Sequence, residues 1–133
     1  MSNKKLGNRL ENDIADLLAE KGFWVHLMQQ NSDGQPADII AVRNTNAYLI
    51  DAKACTTGKG FVLSRMEENQ LLSMTRWAEC GNSTGWFALG TETGIYMLSF
   101  DTAITLSNKF SAMSTEMIQQ MCLPIREWVK TCK

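Results

Sequence analysis

The 133-residue chain is predicted to fold as α/β, with a central mixed β-sheet flanked by helices. Three observations predict this. Leu6, Leu10, Ile14, Leu17 and Leu18 recur at helical spacing. Two nearly continuous apolar runs of strand length, one ending at Val42 and one beginning at Tyr48, flank the polar turn Arg43-Asn44-Thr45-Asn46, the pattern of a β-hairpin inside a buried sheet. A second helical stretch then leads to another pair of strand-length runs, Gly85 to Gly90 and Ile95 to Phe100, which complete a mixed sheet.

The size is that of one domain with a single core. Hydrophobic residues make up 44% and charged residues 20%, an ordinary globular balance with no run long enough to span a membrane. The N-terminus is polar and its first apolar residues are periodic rather than contiguous, unlike a secretory signal. Cys55, Cys80, Cys122 and Cys132 have no C-x-x-C spacing, so neither a zinc site nor a disulfide framework is indicated, and a reducing cytoplasm is the expected compartment. A net charge of −1 gives no global attraction to nucleic acid; any DNA contact needs a locally basic surface.

The first helix closes at Lys21-Gly22, a basic last turn followed by a stop. Gly7, Glu11, Ile14 and Leu18 share one stripe, which sets Glu11 beside the apolar face, whereas Asp13, Asp16 and Glu20 face water. Glu11 is either an edge residue reaching for solvent or a carboxylate in need of a partner. Phe23 to Met28 is aromatic and β-branched and reads as the first strand. His26 is the only histidine, so no histidine metal site or triad can be built. The polar turn from Gln29 to Gly34 leads into the hairpin, and Ser32 in it is a candidate phosphate contact.

The hairpin carries the chemistry. Asp38 opens its first strand, and Asp51 and Lys53 close the second, where side chains two apart point to one face. Two carboxylates and an ammonium therefore converge. Carboxylates sharing a partly buried site repel unless a cation or proton compensates, and hard oxygen ligands at that density suit Mg²⁺. The alternative is an ordinary ion-pair cluster at a sheet end.

Beyond it, Gly58-Lys59-Gly60 forms a basic tip, Phe61 to Ser64 a short strand, and Lys59 and Arg65 are candidate phosphate contacts or plain surface charge. Ser64 and Glu67 have the Ser-x-x-Glu spacing of a capping box, opening a helix that runs to about Cys80. Met66, Gln70, Met74 and Trp77 form its inward stripe, with Gln70 the polar exception that needs hydrogen-bond partners. Asp101 to Leu106 and Ser114 to Cys122 read as short helices. The tail from Pro124, with Trp128, is left open between packing on the body, contacting another subunit and touching DNA.

A helix with Glu11, a strand, Pro36-Ala37-Asp38, a strand, Asp51-Ala52-Lys53 and a helix with Gln70, in that order, resembles the PD-(D/E)xK nuclease superfamily with its restriction-endonuclease-like fold. More narrowly it is similar to the Holliday junction resolvases of archaeal and Gram-positive recombination systems. The likeness extends to Gly22-Phe23, Asp38-Ile39-Ile40-Ala41 and Glu68-Asn69-Gln70, and departs from the motif where Ala37 separates Pro36 from the acid. The resemblance implies an endonuclease hydrolysing DNA phosphodiesters. Asp38, Asp51 and the Ala52 carbonyl would hold Mg²⁺, with Mn²⁺ a possible substitute, and Glu11 would add a direct or water-mediated ligand. Lys53 would orient or deprotonate the attacking water, and Gln70 would position the water, Lys53 or a phosphate oxygen. It also implies branched DNA as partner and a homodimer, whose apolar surface is expected from Phe61 to Leu63 or from the tail around Trp128. Two alternatives remain at this stage: a restriction- or repair-type nuclease of the same fold, and a non-catalytic DNA-binding module.

Overall fold

Helix α1 (Asn3–Glu20) buries Ile14 and Leu18 and leaves Asp13, Asp16 and Glu20 exposed, as its stripe requires. The computed structural model describes residues 3–29, 35–55 and 58–133. Past α1 the chain turns at Gly22, whose φ of +90° is the left-handed conformation that favours glycine after a helix, and enters β1 (Trp24–Leu27).

The predicted hairpin is β2 (Ile39–Arg43) and β3 (Asn46–Ala54), joined through Asn44 and Thr45 at φ +52° and +66°. Two successive left-handed residues match the twist of the flanking strands, which fixes the register. Ile39 lies opposite Ile50, so Asp38 falls one step further along, across from Asp51.

The remaining elements are β4 (Phe61–Val62), a 3₁₀ turn (Leu63–Arg65), α2 (Glu68–Glu79), β5 (Trp86–Thr91), β6 (Gly94–Ser99), α3 (Phe100–Ser107), β7 (Ala112–Met113), α4 (Thr115–Met121), β8 (Leu123–Pro124) and α5 (Ile125–Thr131). Six strands form a mixed sheet in the order β1-β2-β3-β5-β6-β8, with β3 and β5 parallel and the other neighbours antiparallel. Helix α2 makes the crossover that a parallel pair demands. One core, against α1 and α5, contains Ile14, Leu18, Ile39, Ile50 and Trp128. The other, against α2, α3 and α4, contains Leu49, Met74, Phe87, Ala103 and Ile118.

Two expectations are corrected. Ser64 is not the cap of α2: it sits in the 3₁₀ turn, and the helix begins after Glu67. Phe61 and Leu63 are drawn into the core, and the segment is tied to β7 and to Ser111, whose carbonyl accepts from Leu63 N at 3.0 Å. The chain must therefore turn once more before a helix can start. Glu67 and Gln70 make the capping box instead.

The second correction concerns the proposed dimer surface. Phe61 is fully buried, Leu63 nearly so, and Trp128 is 1% exposed, edge-on to Tyr48 and Trp86 with ring centroids 5.3 and 5.4 Å away. Both segments serve the interior of one chain. Arg43 seals the tail: its guanidinium lies 4.3 Å from the Phe23 ring centroid and donates to the carbonyls of Lys21, Val129 and Cys132. Among the described residues the large apolar side chains left exposed include Trp24 and Leu27 on β1, Leu72 on α2, and Phe110, Met121 and Leu123.

Candidate active site

The sheet opens where β2 begins and β3 continues. Ile50 O accepts from Asp38 N at 3.1 Å, the last backbone bond before β2 gives out. In an extended strand the N–H and C=O of alternate residues face the same neighbour, so the backbone of Ala52 points to the side that β2 has vacated. The Asp38 carboxylate fills that place, its Oδ2 accepting from Ala52 N at 2.7 Å. Asp38 Oδ1 accepts from Gln35 Nε2 at 3.0 Å.

Asp51 and Lys53 lie on one face of β3 and are both buried. Lys53 Nζ is 3.2 Å from Asp51 Oδ2. Apart from this ion pair, Asp51 Oδ2 has no hydrogen-bond partner among the described residues. Asp51 Oδ1 accepts from Gln70 Nε2 at 3.0 Å, reaching down from the first turn of α2, while Gln70 Oε1 accepts from Glu67 N at 3.2 Å.

Glu11 arrives from α1, one turn after Gly7, which with Asn8 walls the same hollow. All five predicted side chains, Glu11, Asp38, Asp51, Lys53 and Gln70, line one cavity of about 420 Å³, together with Ala52, Gln35, Glu67 and Asn69. Burial drives the electrostatics. It pushes Asp51 up to about 8, the charge of Asp38 adding to the effect against the opposing pull of Lys53. Glu11 is also raised to about 8, first by burial, then by its hydrogen bond with Asp38 and the charges of Asp38 and Asp51. One ammonium among the carboxyl groups of Glu11, Asp38, Asp51 and Glu67 leaves an excess of negative charge, so Asp51 and Glu11 hold protons far above the usual carboxylate range unless a cation takes their place.

Comparison with known proteins agrees with this geometry. The family model described as archaeal Holliday junction resolvase (Hjc) matches residues 2–133. The chain belongs to the archaeal Holliday junction resolvase family. Among solved structures it is similar to that of Hjc from the hyperthermophile Archaeoglobus fulgidus, a Holliday junction resolvase solved at 1.6 Å, with a TM-score of 0.66 and 15% identity over 92% of this chain and 99% of that one. At that identity the likeness speaks for the fold, the restriction-endonuclease-like arrangement of a mixed sheet between helices. A comparison with the curated proteins finds no match.

The donor set of this resolvase-family chain fits a hard divalent cation. Asp51 Oδ2 is a buried acceptor that, among the described residues, faces the Lys53 ammonium and no other hydrogen-bond donor. The bonds from Gln35 and Ala52 occupy one lone pair on each oxygen of Asp38, and an ionised carboxylate has about four. Among the described residues no group of three or more His, Cys, Asp or Glu side chains is arranged to hold a metal ion by itself. Asp38, Asp51 and the Ala52 carbonyl would hold a cation here, and Mg²⁺ characteristically keeps several waters beside few protein ligands.

The predicted DNA contacts fare differently. Arg65 stands outside the cavity and donates to the Ala54 carbonyl at 2.8 Å, securing the end of β3. Lys59 is exposed on the Gly58–Gly60 tip and does not line the cavity either. Ser32 lies outside the described residues. Sequence reasoning missed Gln35 and Asn69. Asn69 Nδ2 donates to the Gln35 carbonyl at 3.2 Å, so α2 steadies the segment that carries Asp38. The one signal for them was position: Gln35 is three residues before Asp38, and Asn69 is beside Gln70. No helix among the described residues is long and apolar enough to cross a membrane.

Proposed function

We propose that this resolvase-family endonuclease cuts branched DNA by water attack on a phosphodiester, at the cavity between α1, α2 and the open end of the sheet. The observation that carries the reading is the convergence there of Glu11, Asp38, Asp51, Lys53 and Gln70 with charges that need a cation. Asp38, Asp51 and the Ala52 carbonyl would hold Mg²⁺, or Mn²⁺ in its place, with Glu11 as a direct or water-mediated ligand. When bound, the ion would act as a Lewis acid on the phosphate and lower the pKa of the attacking water.

The chain's own residues do the rest. Lys53, buried and held beside Asp51, presents a fixed ammonium to the reacting phosphate, where it can orient the water and offset charge developing in the transition state. Gln70, with both amide atoms engaged, keeps Asp51 in one rotamer and so acts through that carboxylate. Asp38 is fixed from two sides by Ala52 N and Gln35. A two-fold homodimer would supply the two sites that paired cuts at a four-way junction require; the exposed apolar side chains of β1 and α2 are available for it, whereas Phe61, Leu63 and Trp128 are buried.

The test is cleavage of a labelled synthetic four-way junction beside a linear duplex of matched sequence, with Mg²⁺ and with chelator. Paired symmetric nicks in the junction, present only with metal and absent in Asp51→Asn, are expected. Equal cleavage of the duplex would remove the junction preference, and cleavage in chelator would remove the metal.

A further inference from the structure

Gln35 lines the cavity with its side chain half committed. Asp38 is an acceptor, so the amide must turn its nitrogen to it, and the Nε2 to Oδ1 distance is 3.0 Å. This orientation fixes where the other end points. Gln35 Oε1 is shielded from solvent and has no hydrogen-bond partner among the described residues, in a residue that lines the cavity with Glu11, Asp38 and Asp51. A buried amide oxygen without a donor costs free energy that a protein ordinarily avoids. The segment is not free to relieve it, because Asn69 holds the Gln35 backbone carbonyl from α2 and Pro36 follows directly.

We propose that Gln35 is a positioning residue of the cation site: its Nε2 fixes Asp38, and its Oε1 accepts a hydrogen bond from a water bound to the divalent cation. The inference rests on the metal-dependent reading above and extends it to a residue outside the motif. The chemistry is suited to the place. A carboxylate at position 35 would add a further negative charge and repel Asp38; an apolar side chain would neither hold Asp38 nor accept from water. The amide provides a donor towards Asp38 and a neutral acceptor away from it. First-turn residues of α2 then hold both acids of the hairpin, Gln70 directly through Asp51 and Asn69 indirectly through Gln35.

The experiment compares Mn²⁺ binding by titration calorimetry and by electron paramagnetic resonance in wild type, Gln35→Met and Asp51→Asn, with urea unfolding in chelator measured alongside. Methionine matches glutamine in length and flexibility and carries neither group. The expected result is a loss of Mn²⁺ affinity of about 10–100-fold in Gln35→Met, the usual effect of removing an outer-shell partner. Its unfolding midpoint in chelator should fall only modestly, since the lost hydrogen bond to Asp38 is partly offset by removal of the orphaned oxygen. If Gln35→Met does not fold, Gln35→Asn, which withdraws the amide by one methylene, gives the same comparison. Unchanged affinity in a folded variant, with Asp51→Asn abolishing binding, overturns the role of Gln35 and leaves the cation site standing. Wild type that takes up no Mn²⁺ overturns both.

Discussion

Replacing Asp51 by Asn is predicted to stabilise the metal-free protein at alkaline pH. The folded state raises the Asp51 carboxyl from 3.8 to about 8, so it binds a proton more tightly than the unfolded chain does. For a carboxylate shifted in this direction, stability is greatest below the unfolded value, declines as pH rises between about 4 and 8, and carries the full penalty above that range. Glu11, raised from 4.5 to about 8, adds to the same slope. At about 1.4 kcal/mol per pH unit, the displacement of Asp51 sets a ceiling of about 6 kcal/mol. Asparagine keeps the acceptor for Gln70 but gives up the attraction to Lys53, which leaves an expected gain of roughly 2–4 kcal/mol. Urea unfolding in chelator at about pH 5 and about pH 8.5 reads this as a rise in midpoint of roughly 1–2 M for the variant at the higher pH, and little difference at the lower. Mg²⁺ should raise the wild-type midpoint and leave the variant largely unmoved, because a ligand stabilises only the state that binds it. A variant no more stable than wild type at the higher pH, or a wild-type midpoint flat across the range, would refute the electrostatic account of the cavity.

The other expectations concern single side chains. Lys53→Ala is predicted to lower kcat on a four-way junction by about 10²–10⁴-fold, the range for a group that manages the proton or charge of the reacting water; junction binding by fluorescence anisotropy in chelator should be retained. Gln70→Leu removes the donor to Asp51 and the acceptor for Glu67 N together, and a loss of about 1–3 kcal/mol in urea unfolding is expected, with slower cleavage. Trp128→Ala empties the centre of the aromatic cluster with Phe23, Tyr48 and Trp86; it should cost about 3–5 kcal/mol by the same assay, and cleavage by the protein that remains folded should be unaffected.

The parts of the site that could be read from the sequence are those fixed by local periodicity. Asp51 and Lys53 share a face because a strand repeats every two residues, and Asp38 opposes them because the Asn44-Thr45 turn fixes the register. Glu11 and Gln70 were visible as polar interruptions of apolar helical stripes. Gln35 and Asn69 were not, since neither belongs to a periodic pattern and their contacts join segments 34 residues apart. The two-residue strands β4, β7 and β8 are too short to show alternation, and α5 spans 7 residues, so their places follow from tertiary packing. The start of α2 was misread for a different reason. Ser64 with Glu67 and Glu67 with Gln70 both have capping-box spacing, and only the burial of Phe61 and Leu63 decides between them.

That choice of cap bears on the chemistry. A box closed by Ser64 would have left Gln70 one turn into the helix with an amide to satisfy by other means. With Glu67 as the cap, Gln70 is the third residue of α2, its oxygen taken by the Glu67 backbone N–H and its nitrogen turned to Asp51. A side-chain amide provides an acceptor and a donor at once in that position; glutamate would close the cap equally well but present a like charge to Asp51, and leucine would do neither. The residue that starts the helix thereby also aims the carboxylate. Helix α2 and the acidic end of β3 cannot shift independently, and the site acquires a rigid geometry from a hydrogen bond that the fold needs in any case.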